Sequence, residues 1–308
     1  MMKRIPVILD TDIGGDIDDT WALAMILKSP ELDVKLVVSD AGNTPYRARI
    51  IAKMLETAGR TDVPVGVGIE HENYCHLRQA TWVEGYELAN YPGTVHKDGV
   101  GAIIDTIMTS PDPVTLICIG PVPNIGEALR REPRIVENAR FVGMHGAVYK
   151  GYRGNPPGRE CNVANFTPDC QAALSADWDV TITPLDTCGI VVLDGEDYQA
   201  VRHCQDPVIQ ALMENYRAWL QHSGQTTSAA DKTLKTKSST LFDLVAIYLA
   251  FSEELLVMED LPIRVTDDGC TVVDDTGKRM HVAVDWKELG EFNKLLVQRL
   301  TSATIPGK

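Results

Sequence analysis

Ile5-Pro-Val-Ile-Leu9 carries no charge, Asp10-Thr-Asp12-Ile-Gly-Gly-Asp16-Ile-Asp18-Asp19 follows it at once, and Thr20-Trp-Ala-Leu-Ala-Met-Ile-Leu27 comes next. A short apolar run closed by polar residues reads as a buried strand, and apolar residues behind an acidic start read as a helix. The same rhythm returns along the chain. The pattern predicts strands over 34–39, 114–119, 141–144 and 180–185, with helices over 45–58, 124–131 and 168–176. Strands alternating with helices define the α/β class, a mainly parallel central sheet flanked by helices on both faces. Ligands of such sheets bind outside the carboxyl ends of the strands. Polar clusters fall there each time, at 10–19, at 40–43, at 120–124 and from His145 onward. Further on, the pattern predicts a helix over 208–222, a polar irregular stretch over 223–239 and a helix over 240–250. A β-rich segment with a Thr276-Gly277 turn is expected over 263–284, and a closing helix over 286–300.

Composition narrows the function. The chain has 308 residues, 44% of them hydrophobic, and no linker, repeat or low-complexity tract divides it, so one domain over 1–308 is expected. A formal net charge of −14 excludes a nucleic-acid backbone partner and fits a small neutral ligand or local recruitment of cations. Met1-Met-Lys-Arg4 is basic, but five apolar residues are too few for a signal peptide, and no stretch reaches the roughly 20 apolar residues a membrane span needs. The seven cysteines (Cys75, Cys118, Cys161, Cys170, Cys188, Cys204, Cys270) include no Cys-x-x-Cys pair. They read as buried thiols of a cytoplasmic enzyme and not as a disulfide framework or zinc site.

The loop after the first strand holds five carboxylates in ten residues and no base. Acidic residues favour a helix N-terminus, which accounts for Asp18 or Asp19 but not for the whole set. Carboxylates packed against a buried strand end repel one another until protonation or a cation relieves them. Oxygen ligands without His or Cys favour calcium or magnesium. Gly14 and Gly15 suit a sharp turn that lets backbone approach a ligand.

This block resembles the Asp-Thr-Asp-Pro-Gly-x-Asp-Asp signature of the nucleoside hydrolases, with Ile13 for the proline and two extra residues before the last aspartate pair. Asp40-Ala-Gly42-Asn43, Gly120-Pro-Val-Pro-Asn124, Met144-His-Gly146, Glu160-Cys-Asn162 and Phe242-Asp243 resemble its other motifs, in family order. The resemblance implies the Rossmann-like nucleoside hydrolase fold and hydrolysis of an N-riboside to base and ribose. It implies Ca2+ held by Asp12, Asp19, Asp243 and the Ile119 carbonyl, with Asp12 as general base toward a water beside the metal. By the same resemblance Asp18, Asn43, Asn155, Glu160 and Asn162 bind ribose, Met144 lines its pocket and Phe242 meets the base. The assembly it implies is a homodimer or homotetramer.

Residue chemistry leaves some roles open. Asp16 either supplements or replaces Asp12, and Asp10 supports the loop from behind. Asn43 after Gly42 is also a turn signal, Asn124 a helix cap, and Asp243 a cap at an apolar helix start. Many nucleoside hydrolases have His where Phe242 stands, and phenylalanine stacks on a base without protonating it. Candidate acids are His145, Tyr149, Tyr152 and the helical trio Tyr216, Trp219 and His222, whose spacing of three equally describes packing. Two other functions compete. One is a riboside-binding protein without turnover. The other is a haloacid-dehalogenase-like phosphatase using Asp10-Thr-Asp12, for which the downstream lysine and acidic pair are not evident.

Overall fold

The computed structural model describes residues 3–72, 74 and 76–303, so Cys75 and the Met1-Met2 start lie outside the described residues. Ten strands, β1 (Ile5–Thr11), β2 (Leu32–Ser39), β3 (Val65–Val67), β4 (Val95–His96), β5 (Val114–Cys118), β6 (Ala139–Met144), β7 (Val180–Thr183), β8 (Leu256–Val265), β9 (Thr271–Val273) and β10 (Lys278–Trp286), form one sheet. Their order is β4-β3-β2-β1-β5-β6-β7-β10-β8-β9. Pairing is parallel from β4 through to β10, and antiparallel from β10 to β8 and from β8 to β9. The order reverses at β1, which pairs with β2 on one side and β5 on the other. Crevices in open α/β sheets lie at such a reversal.

Apolar residues cover both faces. One cluster gathers the helices Asp18–Leu27, Thr44–Thr57, Pro207–Gln221, Leu244–Leu249 and Leu289–Thr301; the other gathers Gly99–Thr109, Pro123–Arg131 and Thr167–Ser175. Every residue of Asp18–Leu27 is buried, which is why its sequence is apolar on all sides behind the acidic start. At about 1.5–3 kcal/mol for each large apolar side chain, this double cover is the main stabilising term. Side-chain caps set several helix starts. Asn43 accepts from the Tyr46 N–H at 2.9 Å and Asp206 from the Val208 N–H at 2.9 Å.

Some element boundaries depart from the sequence pattern. The stretch over 223–239 contains a helix, Thr227–Thr236, capped by Thr226. Only Ala230 and Leu234 of that helix are buried, too thin a stripe to show as periodicity. The helix expected from 240 starts at Leu244, and Asp243 before it makes no side-chain capping bond. Trp286 ends β10 instead of opening the last helix, because the strand must pair through to Leu256 on β8. Among the described residues, no helix is long and apolar enough to cross a membrane, and the six described cysteines are free.

On the antiparallel edge His281 meets Asp260 through Nδ1 at 2.7 Å and Glu253 through Nε2 at 3.0 Å. Burial alone would lower its pKa, but the two carboxylates outweigh that and hold it above the usual histidine range. A folded pKa above the unfolded one gives stability that is complete below about pH 6.5 and is lost as pH rises through the folded value. For a partly exposed pair the gain is under about 1 kcal/mol. The expected difference in Tm between the native chain and His281→Gln is therefore about 1–3 °C at pH 6, shrinking toward zero by pH 9, measured by calorimetry.

Candidate active site

β1 runs two residues beyond its apolar stretch, so Asp10 and Thr11 lie inside the strand and are fully buried. Asp10 pairs in register with Val38 and Cys118 of the flanking strands, at the reversal itself. The Asn124 amide donates to its Oδ2 at 2.9 Å and also to the Ser39 carbonyl. Burial raises Asp10 to about 7, and burial together with Asp10 pushes Asp40 well above the usual carboxylate range. These two carboxyls form the floor of the site, matching the supporting role expected of Asp10.

After Thr11 the chain turns sharply. Gly14 has φ +99, and a side chain there would press on Ile50 and Tyr46 at 2.7 Å. Asp12 lies at the mouth, receiving the Tyr74 hydroxyl on Oδ2 at 2.8 Å, with an Arg47 nitrogen at 3.8 Å. Gly120 lets Asp12 in: a Cβ at Gly120 would stand 2.9 Å from the Asp12 amide nitrogen and Oδ1. Asp16 is exposed, its carboxylate accepting the Ile17 N–H at 2.7 Å.

Deeper in, Asp18, Asp19 and Asp243 each offer a carboxylate oxygen, all within 4.8 Å of one another. All three are at least 96% buried. Burial and the neighbouring carboxylates push each pKa well above its ordinary value. Asp19 accepts the Thr11 hydroxyl at 2.5 Å and feels the charge of Arg47, and among the described residues no lysine or arginine forms a salt bridge with any of the three. Hard oxygens gathered out of water in this way fit a metal cation. Asp12, expected beside Asp19 and Asp243, lies outside this trio, while Asp18, expected on the sugar, lies inside it.

A second wall comes from β5, β6 and the turn into Cys161–Ala164. The Asn162 amide donates to the carbonyls of Ile119 at 3.2 Å and Met144 at 3.0 Å, and contacts the Met144 sulfur. Glu160 accepts the N–H groups of Gly146, Asn162 and Val163 at 3.0, 2.7 and 3.2 Å, yet burial still raises it to about 7. Ile119, Met144, Glu160 and Asn162 therefore come together as one polar wall. Asn43 is half-buried and spends its oxygen on the helix cap, and Asn155 is exposed with its amide on the Tyr152 carbonyl. Phe242 is half-buried, its ring 5.5 Å from that of Tyr152.

Most candidate acids are occupied elsewhere. His145 is wholly buried against Phe141, and burial lowers it to about 4. Tyr149 is 48% exposed and donates to Glu259. Tyr216 packs on Trp21 and donates to the Lys237 carbonyl, and His222 folds onto the Ala218 carbonyl of its own helix.

Two neighbours of the site were not singled out from the sequence, Arg47 and Tyr74. Arg47 is 1% exposed, and donates to the carbonyls of Ala41 at 2.8 Å and Ile13 at 2.9 Å. A signal was available: Arg47, Ile50, Ile51 and Met54 share one helical face, and a base on an apolar stripe needs a buried partner. Tyr74 sits in a loop that closes over Gly42, where a Cβ would collide with the Tyr74 carbonyl. The His71 N–H donates to the Gly42 carbonyl at 2.9 Å and the Arg78 N–H to the Gly14 carbonyl at 3.1 Å. Nothing in the local pattern announces that closure.

Fold and site together define an α/β enzyme with a carboxylate pocket at the reversal point of its sheet. The sequence model described as "Inosine-uridine preferring nucleoside hydrolase" matches residues 7–293, and the chain belongs to that family. The non-specific ribonucleoside hydrolase RihC of Klebsiella pneumoniae is 30% identical over 292 residues, covering 89% of this chain and 90% of its own. The pyrimidine-specific ribonucleoside hydrolase RihA of Citrobacter koseri is 30% identical, covering 96% and 98%. A plant nucleoside hydrolase superposes with a TM-score of 0.79 at 22% identity, covering 97% of this chain and all of its own. The fold is thus the nucleoside hydrolase fold, and the chain is an N-glycosidase that splits ribonucleosides into base and ribose.

The buried trio generates a test by thermal denaturation. A divalent cation, calcium being the one to titrate, is expected to raise the Tm of the native chain in a concentration-dependent way, and chelator to reverse the rise. Asp243→Asn is expected to abolish the calcium response, while leaving the Tm in chelator equal to or above that of the native chain, because one repelling charge is gone.

Proposed function

We propose that this chain, acting as one domain over 1–308, hydrolyses ribonucleosides with Ca2+ held by Asp19, Asp243, Asp12 and the Ile119 carbonyl. The observation that carries the reading is the buried carboxylate trio, which among the described residues forms no salt bridge with a base. Asp18 stands at that cluster and reaches the ribose diol. Glu160 and Asn162 hold the remaining sugar hydroxyls, and Met144 packs beneath the ring. When bound, calcium supplies six to eight oxygen positions and a local positive charge, which orients the diol and acidifies a neighbouring water.

This chain's own groups do the rest. Asp12, at the mouth of the pocket and held by Tyr74, takes the proton of the water that attacks C1′. Fixed Asp12, Asp18 and Glu160 carboxylates lie where the sugar acquires oxocarbenium character, and their charge favours that state over the ground state. Asn155 and Asn43 contribute to the sugar side only if ligand draws them from their present bonds. Phe242 offers an apolar face to the base. Six free thiols support a reducing compartment, the cytoplasm, and the family resemblance supports a homodimer or homotetramer, checked by light scattering.

The test is ribose release from inosine, uridine and p-nitrophenyl riboside, with calcium and with chelator. Calcium-dependent release is expected from all three. Asp12→Asn should lower kcat by about 10²–10⁴-fold while the calcium-induced Tm rise persists. Binding of ribosides without any turnover would establish the non-catalytic alternative instead.

A further inference from the structure

Breaking a glycosidic C–N bond leaves an electron pair on the departing base, and a positioned proton donor lowers that barrier. Phe242, beside Asp243 on the base side, has no proton to give. The hydroxyls of Tyr74, Tyr149 and Tyr216 and the imidazole of His222 are bonded elsewhere, and His145 is wholly buried against Phe141. Tyr152 differs from all of them. Its ring packs on Phe242 with centroids 5.5 Å apart, and Phe242 immediately precedes Asp243 of the carboxylate trio. Its hydroxyl is 3.3 Å from Thr240 Oγ1, a long contact between two hydroxyls in which either oxygen can donate, so the phenol proton is free whenever Thr240 is the donor.

The turn carrying Tyr152 is braced at several points. The buried Asp186 carboxylate accepts the N–H groups of Val148, Tyr149 and Lys150 at 2.8, 2.7 and 2.9 Å, anchoring the approach to the turn. The Gly151 N–H donates to the Asn155 carbonyl at 2.7 Å, and the Asn155 amide to the Tyr152 carbonyl at 2.9 Å. Arg153 adopts φ 57, a left-handed conformation costly for a side chain of its kind, and its guanidinium lies 4.8 Å over the Tyr152 ring. Three contacts thus hold one tyrosine: Phe242 against the ring, Arg153 over it and Thr240 at the hydroxyl.

We propose that Tyr152 is the proton donor to the leaving base, an assignment that rests on the N-ribosidase reading above. The C1′–N bond breaks and its electron pair goes to the base nitrogen or to a conjugated base atom. The Tyr152 O–H proton follows to the base, water gives hydroxyl to C1′ and its proton to Asp12, and Asp12 and the phenolate re-equilibrate their protons with solvent. The sum is riboside plus water giving ribose and neutral base.

The experiment compares native chain, Tyr152→Phe and His76→Gln on inosine, uridine and p-nitrophenyl riboside, all with calcium. Tyr152→Phe keeps the ring and removes only the hydroxyl. It should lower kcat on both nucleosides by about 100-fold, while p-nitrophenyl riboside, whose leaving group departs without protonation, changes less than about threefold. His76, whose ring meets that of Tyr74 edge to face, should be replaceable without such a split. Equal losses on all three substrates would reduce Tyr152 to a structural role and overturn the assignment. Unchanged nucleoside turnover in Tyr152→Phe, or the split appearing in His76→Gln, would also overturn it. So would a native chain that cleaves p-nitrophenyl riboside but neither nucleoside. Failure of the native chain on all three ribosides would instead sink the N-ribosidase reading itself.

Discussion

Repulsion among buried carboxylates organises this molecule. Asp10, Asp18, Asp19, Asp40 and Asp243 are all removed from water near the end of one central strand, and burial raises the pKa of each. A fold keeps such a cluster only if something compensates it. Two compensations are built from the chain itself. Asp10 of the floor pair is steadied by the Asn124 amide, and Asp12 is balanced by Arg47 and the Tyr74 hydroxyl. The remaining three carboxylates are left to a ligand, which makes folding and function draw on the same electrostatic deficit.

The reversal of strand order at β1 explains why this deficit sits where it does. Neighbouring connections leave β1 in opposite directions, so a crevice opens at its carboxyl end without any loop having to be carved away. Helix Asp18–Leu27 then starts directly below the crevice, and its first residues can be acidic only because the rest of it is wholly apolar and locked in the core. Asp243 arrives from the other end of the chain on a second buried helix start, with no capping bond to divert it.

Much of this was legible in the residues. Alternating short apolar runs and amphipathic stretches were enough for the parallel sheet, since each period is dictated by which faces are covered. Asp18 and Asp19 stood out within a loop of five carboxylates, Asp243 because a charge beside an apolar run requires a partner, and Glu160 and Asn162 through the resemblance of their motif to that of the family. Other features were not legible, for physical reasons. Thr227–Thr236 buries only two side chains, so its helical period barely registers. Which of Asp12 and Asp18 joins the tight trio depends on the path of Ile13-Gly-Gly-Asp-Ile17, a loop whose course is decided by Arg47 and Tyr46 from another helix. The fates of Tyr149, Tyr152 and His145 diverge within eight residues because Asp186 gathers the backbone between them, a contact 36 to 38 positions away in sequence.

Gly42 carries a consequence of a different kind. The loop bearing Tyr74 rests its carbonyl in the space where any other residue at 42 would carry a Cβ, and a hydrogen bond from His71 ties it down beside that point. The height of the pocket's roof is therefore gauged by a missing methyl group. A Cβ there would collide with that carbonyl, so the loop that brings the Tyr74 hydroxyl to Asp12 rests on a residue that has no side chain at all.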